Sequence, residues 1–305
     1  MRVFVTGASG HIGSAVIPEL LHAGHQVLGL ARSDQSAATI EAAGAAAQRG
    51  SLDDIELLRE TAREADGVIH LAFRHDWMRS GDFAGAVATD LAAITAMGEA
   101  LAGSGGPLVT TSGTMMLALG GISGRPGTEQ DAVEGGPRVD AENHVVALAQ
   151  QDVRSSVVRL PPLVHSHLDR HGFAPTLIAI AREKGYAGYL GDGANRWPAG
   201  HTLDAALLYR LALELAPAGS RFHAVDDDGV PFREIAETIG RMLGLPTRSV
   251  AQEDAESYFG FLTPFVGVDG PVSSEITRTT LGWQPTHPKL IADLEQGHYF
   301  AQSQG

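Results

Sequence analysis

Short apolar runs alternate with amphipathic stretches through the first half of the chain. Arg2 to Thr6 reads as a strand, His11 to Ala23 as a helix ending at Gly24, and Gln26 to Ala31 as a second strand. Asp34 to Ala43 is a helix stopped by Gly44, and Ala45 to Gln48 a weak third strand. Leu52 to Ala65 is a helix with Ser51 as its N-cap, and Gly67 to Ala72 a fourth strand. Phe83 to Leu101 is a long helix with Val87, Leu91 and Ile94 on one face. Leu108 to Thr111 is strand five, Val139 to Gln150 a helix, and Ser156 to Leu160 strand six. Strict β-α alternation predicts an α/β fold: a doubly wound parallel sheet of the Rossmann type, helices on both faces. A ligand belongs outside the carboxyl ends of such strands.

Past Pro161-Pro162 the alternation weakens. Leu203, Leu207, Leu211 and Leu215 mark a helix, and Phe222 to Val225 a strand. Phe232, Ile235, Ile239 and Met242 mark another helix, closed by Gly244. Other strands are sparse. A dinucleotide-binding domain over 1–160, rejoined by 201–226, and a smaller substrate domain over 161–200 and 227–305 account for this pattern. The Gly-rich stretch from Gly120 to Pro137 is long enough for a functional or mobile loop.

Composition narrows the classes. Of 305 residues, 44% are apolar and 19% charged, as in ordinary globular chains. Cysteine is absent, which excludes disulfides, thiolate metal sites and a cysteine nucleophile. Met1-Arg2 leads directly into a strand, and no apolar run approaches the ~18 residues of a bilayer span. The expectation is a soluble cytoplasmic protein without a membrane partner. A net charge of −14 argues against nucleic acid. A small anion held by backbone amides remains compatible with it.

The first strand delivers Thr6-Gly7-Ala8-Ser9-Gly10-His11-Ile12-Gly13 into a helix. Glycines there let a pyrophosphate approach the main chain, and the helix N-terminus offers unpaired N–H groups. The context, a strand–turn–helix opening a β-α-β chain, favours dinucleotide binding over a bare turn. The spacing T-G-x-x-G-x-x-G resembles the extended and atypical branches of the short-chain dehydrogenase/reductase superfamily, close to the NAD-dependent epimerase/dehydratase group. The resemblance covers most of the chain. Asp53 matches the adenine-side acid, His70-Leu71-Ala72 the strand-four segment, and Arg159-Leu160-Pro161-Pro162 the run against the nicotinamide. Gly191-Asp192-Gly193, His201 and Asp204-Ala205-Ala206 match a downstream segment. The resemblance implies cofactor contacts at Gly7, Ser9, Gly10, His11, Ile12 and Gly13. It adds Ser51, Leu52, Leu71, Ala72, Phe73, Thr111, Arg138, Leu160, Pro161 and Leu163, with Arg32 and Ser33 at the adenosine end.

Strand two ends at Ala31-Arg32-Ser33, where an NAD site usually places an acid. Arg32 would instead pair with a 2′-phosphate, so NADP(H) is the expected cofactor. Asp34 complicates this if it turns inward.

In the resembled family a Ser or Thr ends strand five and a Tyr-x-x-x-Lys pair follows. Ser112 matches the polarising hydroxyl. The pair has no match, because no Tyr or Lys precedes Lys184. Two registers are open: Glu134 and Arg138 replace Tyr and Lys, with Glu142 as a following acid, or Arg138 and Glu142 replace them. Counting back from Arg159 favours the first. Arg138 is a poor proton donor, so a relay through Ser112, a carboxyl of raised pKa (Glu134 or Glu142) or a histidine (His165, then His75 or His171) must supply the proton. Arg138 and Glu142 also suit an ordinary helix ion pair.

Phe73, Trp77, Met115, Met116 and Trp197 are candidate walls for a largely apolar substrate, although such residues beside strands more often pack a core. Asn195-Arg196 is the one candidate for a second phosphate, so sugar nucleotides are not favoured. The histidines of 165–171 lack a recognised metal spacing, and no metal is expected. The leading expectation is an NADPH-dependent oxidoreductase reducing a small, largely apolar carbonyl, imine or activated alkene. A catalytically inactive NADP(H) sensor and a non-redox lyase or isomerase stay open. The resemblance also implies homodimer contacts through the helices beginning near Phe83 and Val139, and the sequence leaves dimer and monomer both open.

Overall fold

A computed structural model of the chain describes residues 1–301, the side chains of 78–80 aside, so the last four residues of the expected second domain lie outside it. The strands are β1 (Arg2–Thr6), β2 (Gln26–Ala31), β3 (Ala46–Arg49), β4 (Gly67–His70), β5 (Pro107–Gly113), β6 (Arg154–Leu160), β7 (Leu163–His165), β8 (Ala187–Leu190), β9 (Arg196–His201), β10 (Ser220–His223), β11 (Asp227–Pro231) and β12 (Thr247–Val250). The helices are α1 (Gly13–His22), α2 (Asp34–Ala42), α3 (Ile55–Glu64), α4 (His75–Ser80), α5 (Phe83–Leu101), α6 (Met115–Leu119), α7 (Val139–Ala147), α8 (Phe173–Lys184), α9 (Thr202–Leu215), α10 (Phe232–Leu243), α11 (Ala255–Phe259), α12 (Thr263–Val266), α13 (Glu275–Leu281) and α14 (Leu290–Glu295).

Seven strands form one sheet in the order β10-β6-β5-β4-β1-β2-β3, and every pair is parallel. The direction of strand order reverses between β1 and β4, and the crevice there opens at the strands' carboxyl ends. One face packs α1 and α9 with Val5, Ile17, Leu20, Tyr209 and Trp283. The other packs α3 and α5 with Phe4, Leu58, Val68, Met97 and Leu108. A separate core gathers Leu163, Ile178, Trp197, Phe232, Phe259 and Leu290 from the later segments. A three-stranded sheet, β11-β9-β7, and the β12-β8 pair frame it. Segment 202–225 belongs to the first body, since α9 covers the main sheet and β10 extends it.

Three expectations need correction. Ser51 does not cap α3, which begins at Ile55. The Ser51 N–H and hydroxyl both donate to the Asp54 carboxylate, at 2.7 and 3.1 Å. The 120–137 stretch is pinned rather than free: Gly127 bridges Val272, and the Thr277 amide and hydroxyl donate to the buried Glu129 carboxylate at 2.7 and 2.6 Å. Helix α5, with 19 residues and mean hydropathy 1.2, is long and apolar enough to cross a membrane by length and composition. Here Met97 and Ala93 pack under the sheet, and its buried Asp90 accepts from His70 at 3.0 Å.

Candidate functional site

The glycine turn is built by backbone approach. Gly7 takes φ +67°, and a Cβ there would sit 2.7 Å from the Ala72 nitrogen. A Cβ on Gly13 would overlap the carbonyls of Gly7 and Ala8. Thr6 ties this turn to the end of β4. Its hydroxyl accepts from the Ala72 N–H at 3.3 Å and donates to His70 Nδ1 at 2.7 Å. His70 therefore carries its proton on Nε2 and gives it to Asp90. Helix α1 starts at Gly13 without a side-chain cap; the Ser14 and Ala15 amides already donate to the Gly10 and Ile12 carbonyls, and among the described residues the Ile12 and Gly13 amides, with no backbone partner, stay available for an anion. These residues fit a dinucleotide pyrophosphate.

His11 faces a buried polar cluster. Thr202 donates its hydroxyl to the His165 carbonyl at 3.1 Å, so it accepts from Ser166 at 2.9 Å and from His11 Nε2 at 2.8 Å. His11 Nδ1 lies 3.8 Å from Asp169. Burial, aided by the neighbouring imidazoles of His165, His171 and His201, lowers His11 to about 4. Burial also pushes Asp169 up to about 6, against hydrogen bonds from Gly172 and Tyr299. His165 is buried, with Nδ1 2.9 Å from Asp293 and its ring edge-on to His201. His167 and His171 are exposed, so the three histidines of that segment do not converge. The donor atoms of His201, Asp204 and His287 do gather within 4.8 Å. They are already used: the His201 and His287 rings stack at 4.6 Å, and Asp204 accepts from His287 Nδ1 and from the amides of Thr286 and His287. This is a clamp on the 283–287 turn and does not fit a cation.

At the adenosine end Ser33 caps α2. Asp34 turns away to Arg49, at 3.0 Å, and leaves Arg32 exposed at the tip of β2. Leu52 is buried in the core. The Arg74 guanidinium lies 3.9 Å over the ring of half-buried Trp77, and Arg74 reaches Asp53 at 2.9 Å.

Ser112, one residue before the end of β5, is buried. It faces the Glu142 carboxylate and helps keep that group ionised. Arg138 comes to the same strand end. Its Nη2 donates to the Thr111 carbonyl at 2.9 Å, and its guanidinium covers the Phe73 ring at 4.0 Å. Arg138 has φ +65°, a left-handed backbone uncommon outside glycine. Helix α7 starts one residue later, so Glu134 and Arg138 do not share a helix face, and Glu134 is exposed. Sequence reasoning missed Tyr209 of α9. It donates to the Thr111 hydroxyl at 2.8 Å, since Thr111 donates onward to the His70 carbonyl at 2.9 Å.

Glu142 is committed elsewhere. It pairs with the buried Arg159 at 2.5 Å and with Arg221 at 2.7 Å, not with Arg138. Burial pushes its carboxyl up, and Arg159, Ser112 and Arg221 more than reverse this, leaving it below the ordinary range. A carboxylate so held does not serve as an acid near neutral pH. Trp197 is wholly buried between Phe173 and Phe232, a core residue. Met115 is buried and Met116 half-buried beside the same core. Leu163 is buried in it as well, and Leu160 packs on the first core. Asn195 holds the carbonyls of Val266 and Val268, and Arg196 pairs with Asp269, so neither is spare for a phosphate.

The model of the NAD dependent epimerase/dehydratase family matches residues 3–225. An uncharacterized protein of Schizosaccharomyces pombe is 46% identical over 302 residues, 98% of this chain and 100% of its own. The 2-alkyl-3-oxoalkanoate reductase of Stenotrophomonas maltophilia is 29% identical over 258 residues, 81% of this chain and 77% of its own. Among solved structures, the dTDP-glucose 4,6-dehydratase of Streptomyces venezuelae with NAD and TYD bound superposes with TM-score 0.78 at 19% identity. It covers 99% of this chain and 98% of its own, a likeness of fold.

Proposed function

Because this chain belongs to the NAD dependent epimerase/dehydratase family, we propose that it is an NADPH-dependent reductase of a small, largely apolar carbonyl compound. The observation that carries this reading is the meeting of Ser112 and Arg138 at the carboxyl end of β5. There the buried Ser112 hydroxyl, which lies by the Glu142 carboxylate, and Arg138, held on the carbonyl of the preceding Thr111, reach the same strand end. A nicotinamide coenzyme, its pyrophosphate on the turn from Gly7 to Gly13, would supply hydride. Ser112 donates a hydrogen bond to the substrate carbonyl oxygen, and Arg138 stabilises the negative charge that grows on it. Water replenishes the proton that Ser112 passes on, since Arg138 keeps its own.

Partly exposed apolar side chains of the second body support the substrate class. Met116, Phe173 and Phe265 are half-buried beside the second core, and Phe261 is half-exposed 6.4 Å from Phe173. The 2-alkyl-3-oxoalkanoate reductase among the relatives supports a ketone with an alkyl chain. The expected coenzyme is NADPH because Arg32, not an acid, follows β2.

The test follows the absorbance of the reduced coenzyme across a panel of aldehydes, ketones and imines. Turnover should fall about 100-fold or more in Ser112→Ala and in Arg138→Ala. Tight NADPH binding with no turnover on any member would replace the reductase with a non-catalytic NADP(H)-binding protein.

A further inference from the structure

Two side chains cross over the carboxyl ends of β1 and β2. Arg74 follows β4, Asp53 follows β3, and β1 and β2 lie between those strands in the sheet. The Arg74–Asp53 ion pair at 2.9 Å therefore spans the strand ends where the adenosine ribose of a dinucleotide rests. Arg32 approaches the same place from the end of β2. Between the two arginines stands Asp76, 3.5 Å from Arg32 Nη1 and 3.5 Å from Arg74 Nε.

Neither contact is tight. The Arg74 Nε is buried and makes no hydrogen bond among the described residues. A buried guanidinium donor without an acceptor is costly, and it is aimed at a site that already draws a carboxylate. Asp76 brings one charge and two oxygens. A phosphate monoester brings nearly two charges and three oxygens, which suits two converging guanidinium groups better. Arg32 and Asp76 are 70% and 49% exposed, so their exchange of partners costs little. The Trp77 ring under Arg74 fixes the plane of that guanidinium.

We propose that Arg74 and Arg32 together seat the 2′-phosphate of the coenzyme's adenosine, with Asp76 standing in for that phosphate until it arrives. This rests on the coenzyme reading above and extends it to two residues that the end of strand two does not reveal.

The experiment titrates NADPH and NADH separately into the full-length protein and its variants, read by quenching of tryptophan fluorescence. Arg74→Ala should weaken NADPH by about tenfold or more, the worth of a charge-assisted hydrogen bond, and leave NADH within about twofold. Asp76→Asn should tighten NADPH several-fold and leave NADH unchanged. Equal losses for both coenzymes in Arg74→Ala would make Arg74 a structural strut and overturn the proposal. Unchanged or weaker NADPH binding by Asp76→Asn would overturn the stand-in role. A wild-type protein that prefers NADPH while Arg74→Ala keeps the full preference sinks this inference alone. A wild-type protein that binds neither coenzyme sinks the coenzyme reading with it.

Discussion

Replacing Glu142 with Gln separates a structural carboxylate from a catalytic one. In the wild-type protein Glu142 Oε1 meets Arg159 Nη2 at 2.5 Å and Arg221 Nε at 2.7 Å, while Oε2 meets Arg159 Nε at 3.1 Å. Arg159 is 1% exposed. Its guanidinium would keep the Asp131 carbonyl at 2.8 Å and His223 Nε2 at 3.2 Å, but no negative charge. Breaking a buried pair from one side costs about 3–5 kcal/mol. The amide retains one acceptor oxygen and Arg159 retains neutral partners, so the lower end, about 3 kcal/mol, applies. For a chain of this size that is a fall in melting temperature of roughly 5 °C. Circular dichroism melts measure it. The pH dependence gives a second reading. A carboxyl held below its ordinary value contributes stability above the unfolded pKa and loses it as pH falls through the folded one. The gap between wild type and Glu142→Gln should therefore be full at pH 7 and narrow below about pH 4. A melt within about 1 °C of wild type, together with lost turnover and intact NADPH binding, would refute the structural assignment and restore Glu142 as an acid.

Two further perturbations probe other parts of the site. In Gly13→Ala the new Cβ meets the carbonyls of Gly7 and Ala8, which are rigid backbone, so the stabilisation that NADPH gives in a thermal shift assay should vanish; a variant still stabilised like wild type would contradict the turn's role. Burial raises Asp169 to about 6 in the folded protein, so the fold favours its neutral form and loses stability as pH rises from about 4 to 6. Asp169→Asn should remove that loss, its melting temperature gaining on wild type across the window; a constant difference from pH 4 to pH 8 would contradict the burial argument.

The parallel sheet was legible because its signals are local. The run from Val3 to Val5 is apolar, glycines stand where backbone meets backbone at 7 and 13, and Gly24 and Gly44 follow the ends of their helices. The shorter strands were not. A three-residue strand such as β7, or β8 and β12 at four residues, shows too little periodicity to declare itself. The candidate site divides on the same line. Ser112 and Arg138 could be placed from the end of a strand and the missing Tyr and Lys. The partners of Glu142 are 17 and 79 residues away, so the nearby Arg138 looked like its mate until the helix was seen to start at Val139. Trp77 and Trp197 have suitable chemistry for a cleft, but the direction of a side chain off a loop or strand depends on contacts that spacing does not encode. One is held under Arg74 and the other is sealed between Phe173 and Phe232.

Hydride transfer is tested by following deuterium from the reactive face of NADPH into product. The full-length protein is incubated with the labelled coenzyme and a 3-oxoalkanoate or aromatic ketone, and the product is analysed by mass spectrometry. The wild-type protein should form an alcohol carrying the label on its former carbonyl carbon, nearly absent with Ser112→Ala. Tightly bound NADPH that keeps its label on every substrate offered, or product that forms without label, would contradict hydride transfer.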